Sequence, residues 1–237
     1  MNLCVACIMD RPMEMEPFIE RLEPLFSGEL CIIEDGEEAT ITVPDDNPLR
    51  VTIIHHESSL GYGSSLSSAL TFARDRNYSH IITLAPYDPD HFKIIPEIME
   101  NLSYGYDLVI ASRILENTAF AQIEDRILRE RESIASLVHD YTGLELTDPL
   151  SQVNGFKVAA TENMELVETG RGVHIQIILQ AVYTGLNIQE IPLGSLLDFG
   201  HSIEEKGVDI ESLHALAETE RYLFKEGKTQ RDGSDIS

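Results

Sequence analysis

The feature that most constrains this chain is the alternation of short apolar runs with longer stretches of helical periodicity. Runs at residues 3–9, 30–33, 51–55, 79–84 and 107–111 are too short for helices and are read as buried strands, with further strands at 154–159 and 187–191. Between them, apolar residues recur at helical spacing. Phe18, Ile19, Leu22 and Phe26 mark a helix over 17–26, and Leu66, Ala69, Leu70 and Ala73 mark one after a Gly/Ser-rich turn. A third runs through Leu102 with Pro96 marking its first turn or a kink, and a fourth spans 118–141 with Ile123, Ile127, Ile134, Leu137 and Val138 apolar. Helices at 173–183 and 210–224 complete the set.

Strands alternating with amphipathic helices need crossover connections, which give a parallel sheet covered on both faces. The expected fold class is therefore α/β, with a mostly parallel central sheet flanked by helices. One domain is expected over residues 1–205, then a helix over 206–224 and a disordered polar tail over 225–237. In open sheets of this kind ligands bind beyond the carboxyl ends of the strands. The loops after Met9, Ile33, His55, Leu84 and Ala111 are the ones to inspect.

Acidic residues outnumber Lys and Arg 41 to 17, a formal charge of -24. Such a chain repels nucleic acid and anionic membrane, so no nucleic-acid partner is expected. No run approaches the roughly 20 apolar residues a membrane helix needs. The N-terminus has no basic leader and passes straight into periodic sequence, so it is read as a strand and not a signal peptide, and a cytoplasmic protein is expected. Cys4 and Cys7 have CxxC spacing, but residues three apart on a strand face opposite sides. With Cys31 they are read as buried free thiols.

Several constellations stand at those strand ends. Gly61 and Gly63 follow the third strand, where glycines let a ligand's phosphate or ribose approach the next helix, or simply make a tight turn. Glu34-Asp35-Gly36 follows the second strand, an acidic pair able to accept from a base or ribose, or a solvated turn. Asp88-Pro89-Asp90 follows the fourth, where two carboxylates can hold a divalent cation, or open a turn and cap a helix. Arg113 ends the fifth, and a guanidinium there can grip a phosphate by two bonds. Arg129 and Ser133 share a helix face and can join that phosphate site, or form a surface ion-pair stretch.

Taken in order, these elements resemble the inverting glycosyltransferases of family 2 with the GT-A fold, closest to the dolichyl- or polyprenyl-phosphate mannose synthase branch. The matches are Glu34-Asp35-Gly36, Gly61-Tyr62-Gly63, the run from Tyr106 to Ser112-Arg113, Asp148-Pro149 with Gly155-Phe156-Lys157, and Glu190-Ile191-Pro192. The family's Asp-x-Asp, counted back from Ser112-Arg113, falls on Ala85-Pro86-Tyr87, and Asp88 and Asp90 stand three residues later. Asp10 lies near the family's Asn-Glu after strand one, and Ser59 takes the place of its donor-loop Asn. The branch's late Arg-x-x-Gly-x-Ser-Lys appears as Leu197 to Ile203, with Gly200 and Ser202 kept and both cations lost.

The resemblance implies a GT-A fold and transfer of a sugar from a UDP- or GDP-linked donor to a phosphate or hydroxyl acceptor. It implies substrate contacts from Asp10, Glu34, Asp35, Gly61, Gly63, Arg129, Ser133 and Asp148, a catalytic role for Arg113, and Asp88 and Asp90 as catalytic ligands of Mg or Mn. The departures leave a second expectation open, a catalytically silent relative that binds a nucleotide sugar or a partner protein. A nucleotidyltransferase is a third, for which Met9-Asp10-Arg11-Pro12 offers only a fragment of the expected loop. Self-association into a homo-oligomer also stays open.

Overall fold

The computed structural model describes residues 2–9, 13–38, 41–43, 47–86, 89–115, 125–193 and 208–232. Its strands are β1 (Leu3–Met9), β2 (Glu29–Asp35), β3 (Arg50–His56), β4 (His80–Leu84), β5 (Leu108–Ser112), β6 (Asn154–Lys157) and β7 (Ile188–Pro192). They form one sheet in the order β3-β2-β1-β4-β6-β5-β7. Every neighbouring pair is parallel except those made by β6, which runs antiparallel to both β4 and β5.

The two-residue period of β1 sorts its side chains between two cores. Cys4, Ala6 and Ile8 join one, while Leu3, Val5, Cys7 and Met9 join the other. The first core is closed by α2 (Tyr62–Asp75), α4 (Asp125–Thr142), α6 (Val173–Tyr183) and α7 (Ile210–Asp232) through Leu66, Ile134, Ile177 and Leu213. The second is closed by α1 (Met15–Leu22) and α3 (Ile95–Ser103) through Phe18, Ile19, Ile98 and Leu102. The short α5 (Val158–Thr161) follows β6 directly. The cysteines behave as the strand period requires. All three are buried free thiols, and burial pushes Cys31 up to about 12, out of reach of thiolate chemistry.

Local chemistry explains the boundaries. Pro96 sits in the first turn of α3, where its missing N–H costs nothing. Asn77 takes the left-handed conformation, φ 56°, that ends α2. The structure corrects the expected tail over 225–237: α7 continues to Asp232. The residues after Phe224 are polar but mostly good helix formers, and Gly227 alone does not stop them. Leu213 and Ala217 of α7 are buried in the first core, so this helix is part of the domain and not an appendage. No helix among the described residues is long and apolar enough to cross a membrane.

Candidate functional site

The loop between β3 and α2 is shaped by one carboxylate. β2 runs on to Asp35, so Glu34 and Asp35 are buried strand residues and not a solvated turn. Asp35 Oδ1 accepts from Leu60 N–H (2.8 Å) and lies 2.9 Å from His56 Nδ1. Asp35 Oδ2 accepts from Gly61 N–H (2.9 Å) and from Ser59 Oγ (3.2 Å). A carboxylate has about four acceptor positions, and the chain's own donors fill them. Burial pushes the Asp35 carboxyl up, but the Leu60 N–H, His56 and the Gly61 N–H outweigh it and hold it below the ordinary range. Beside it, Glu34 Oε1 accepts from Ile41 N–H at 3.0 Å, and Oε2 lies 3.3 Å from His55 Nδ1.

The two glycines of this loop are required by another segment of the chain. Gly61 has φ 91°, and a Cβ there would stand 2.5 Å from the carbonyl oxygen of Thr169. A Cβ on Gly63 would overlap the backbone of Glu168 and Thr169. Gly63 N–H donates to that Thr169 oxygen at 2.7 Å, so one of the N–H groups at the start of α2 is already spent. Gly63→Ala is expected to cost about 1–3 kcal/mol through this overlap, measurable as a lower midpoint in urea.

Beyond β5 lies a cationic cluster inside this acidic chain. Arg113 follows β5 and is buried against the wholly buried Asp148, with Nε to Oδ2 at 2.6 Å, Nη2 to Oδ1 at 2.8 Å and its backbone N–H to Oδ2 at 3.2 Å. The Asp148 N–H and Thr147 N–H donate to Glu190 on β7, and Thr147 Oγ1 is 2.6 Å from Ser112 Oγ. Arg131 of α4 is buried on the same carboxylate. Its Nη1 lies 3.5 Å from Asp148 Oδ1 but makes no hydrogen bond. Arg171 reaches in from the loop before α6, its guanidinium 6.0 Å from the Tyr62 ring centre; with the Gln152 side-chain amide turned so that its oxygen faces it, that oxygen accepts from both Arg171 Nη atoms at 2.8 and 2.9 Å.

The electrostatics follow from two guanidinium groups on one carboxylate, with Arg171 close enough to act on Arg131 and His174. Burial pushes the Asp148 carboxyl up, but Arg113 and then Arg131 prevail and bring it to about 2. Arg131 is pushed down to about 10 by burial and by Arg113. His174, on the first turn of α6 and 5.1 Å from the Tyr62 ring, is pushed down to about 3 by burial and by Arg171. Its buried Nε2 makes no hydrogen bond. Tyr62 opens α2 and His174 lies in the first turn of α6, so the positive ends of two helices also meet here. Arg131 Nη1, buried without a hydrogen bond, is a polar atom that an anion could satisfy here.

The sequence-based site residues divide. Glu34, Asp35, Gly61 and Gly63 gather at the glycine loop, and Arg113 pairs with Asp148 beyond β5. Arg129 and Ser133 are not part of that cluster: both are exposed, and Ser133 Oγ donates to the Arg129 carbonyl oxygen at 2.8 Å. Arg131, two residues along, takes the buried place instead. Its signal was present, since it stands four residues after Ile127 and three before Ile134, on the apolar stripe where a charge needs a partner. His174 carried a similar signal, standing between the apolar Val173 and Ile175. Arg171 gave no signal; its place depends on the fold of the loop before α6.

Asp10, Asp88 and the motif around Gly200 lie outside the described residues, as does the side chain of Asp90, whose backbone is in a 3₁₀ turn, Pro89–Ile94. At the end of β4, Ala85 and Pro86 are buried and offer no carboxylate. Among the described residues, no three His, Cys, Asp or Glu gather to hold a metal ion.

No family model matches the sequence, and no curated protein does either. Solved structures do. The chain is similar to glucosyl-3-phosphoglycerate synthase from Mycobacterium tuberculosis bound to Mn2+, UDP and glucosyl-3-phosphoglycerate, with a TM-score of 0.61 and 16% identity over 92% of this chain and 76% of that one. The complex of the same enzyme with Mn2+, UDP-glucose and phosphoglyceric acid matches equally, at 0.61 and 16% over 92% and 76%. Its complex with Mn2+, UDP-glucose and glycerol 3-phosphate matches at 0.59 and 16%, over the same shares. The fold is thus the GT-A fold of nucleotide-sugar transferases.

Proposed function

We propose that this chain transfers a sugar from a UDP- or GDP-linked donor to a phosphate- or hydroxyl-bearing acceptor, as family 2 glycosyltransferases do. The observation that carries the reading is the pair of buried guanidinium groups, Arg113 and Arg131, on Asp148 at the carboxyl edge of the sheet, with Arg171 beside them against the Tyr62 ring of the glycine loop. A phosphate there would meet fixed positive charge that costs no reorganisation. Arg131 and Arg171 are assigned the anion, while the Arg113–Asp148 pair fixes their placement. Asp35 is assigned the shaping of the loop that meets the nucleoside. An acceptor phosphate is already ionised and needs no strong general base.

The similar enzyme is crystallised with UDP-glucose and with phosphorylated acceptors, which favours a soluble anionic acceptor over a lipid-linked one. The mannose synthase branch therefore stays a finer reading than the fold itself carries. A divalent cation, Mg or Mn, enters on the same likeness, with Asp88 and Asp90 as the ligands proposed for it. Bound there, it would neutralise the departing diphosphate. The buried Ala85 and Pro86 favour a second reading, a relative that binds the nucleotide sugar without turning it over.

Calorimetric titration with UDP- and GDP-sugars, with and without Mn2+, tests both. Tight binding that needs Mn2+ and is lost in Asp88→Ala and Asp90→Ala is expected if the metal site is complete. Metal-independent binding without sugar transfer selects the silent relative. Absence of any nucleotide binding defeats both readings.

A further inference from the structure

The loop over residues 162–172, between α5 and α6, links the glycine loop to the C-terminal helix. Gln176 of α6, wholly buried, accepts from Val167 N–H (3.0 Å) and Glu168 N–H (3.1 Å) and donates to the Glu165 carbonyl (3.2 Å). Gln180 accepts from Glu165 N–H (3.0 Å) and donates to the same carbonyl (2.9 Å). Both amides also donate to one oxygen of α7, Glu220 Oε1, at 2.6 and 3.1 Å. Glu220 is itself buried. At its far end the loop offers the Thr169 carbonyl to Gly63 N–H and carries Arg171 into the arginine cluster. Gly172 leaves little room for a Cβ between Glu168 and Leu213 of α7, so the packing there is tight as well.

We infer that Glu220 is a positioning residue: through Gln176 and Gln180, α7 sets the place of the 165–171 segment and, through it, of the glycine loop and Arg171. Removing the carboxylate leaves the buried Gln176 amide and the half-buried Gln180 amide each one acceptor short. Buried donors without partners are relieved by rotation or by water entry, and either loosens the segment they hold. The consequence for ligand binding rests on the function proposed above; the mechanical coupling does not.

Amide hydrogen exchange at Gly63 and titration with UDP, compared across four proteins, test the inference. Glu220→Ala is expected to speed Gly63 exchange by about tenfold or more and to weaken UDP binding by about tenfold. Glu220→Gln keeps a carbonyl oxygen that can accept from both amides, and both readouts should return to within about threefold of wild type. Leu216→Ala weakens α7 packing without touching this network, and it should lower the melting temperature while leaving Gly63 protection near wild type. Unchanged Gly63 exchange in Glu220→Ala, or equal acceleration in Leu216→Ala, overturns the inference. If wild type binds no UDP but Gly63 still responds to Glu220→Ala, the coupling stands and the functional reading falls.

Discussion

Asp148→Asn is expected to cost about 3–5 kcal/mol of stability, because it removes the buried carboxylate on which Arg113 and Arg131 lie. Urea denaturation at neutral pH reads the loss directly. The amide keeps the shape of the side chain, so the deficit is electrostatic and not a cavity. It should shrink when phosphate or sulfate is added, since an anion can take the place of the missing charge. The same pair sets a pH dependence. Asp148 titrates at about 2 in the folded chain and at about 3.9 when unfolded. Its contribution is therefore whole above about pH 4 and is lost as pH falls towards 2. His174 titrates at about 3 when folded but near 6.5 when unfolded, so the unfolded chain takes up its proton first and stability begins to fall below about pH 6.5. In Asp148→Asn the lower of these two acid steps should disappear and the upper should remain. A variant as stable as wild type at pH 7 would show that the cluster is solvated and not buried.

Much of the fold was legible because it rests on local period. Strands at 3–9, 107–111 and 187–191 and the helix at 173–183 lie where the apolar pattern puts them, within a residue or two. The place of β6 was not legible. Four residues with Gly155 at their second position carry no mark of running antiparallel between β4 and β5, since that choice is made by long-range pairing. The site divides for the same reason. Arg113 and Asp148 follow motifs and could be named from them, whereas their mutual pairing joins residues 35 positions apart. Gly61 and Gly63 were noted for what they permit a ligand to do, but the atoms that exclude a side chain there belong to Glu168 and Thr169. A glycine in sequence says that something comes close; only the fold says what.

The stability and the binding roles of the cluster can be separated at Arg131, where they should move in opposite directions. Asp148 is already satisfied by two side-chain bonds and one backbone bond from Arg113. Arg131 adds a second buried cation whose Nη1 makes no hydrogen bond, and burial together with Arg113 pulls it down to about 10. Its desolvation is therefore poorly offset in the free protein, and Arg131→Met, of similar length and apolar, is expected to leave stability unchanged or raise it by about 0–2 kcal/mol. Binding should suffer. Wild type with an anion at 100 times its dissociation constant gains about 2.7 kcal/mol, and most of that gain should vanish in the variant. Thermal unfolding of both proteins across a series of phosphate and UDP concentrations measures the two effects at once. A residue kept for packing would give the reverse, a less stable variant that still responds to the anion. A cation that weakens the free fold and strengthens only the bound one is the mark of a binding site, and the proposed function requires Arg131 to be such a residue.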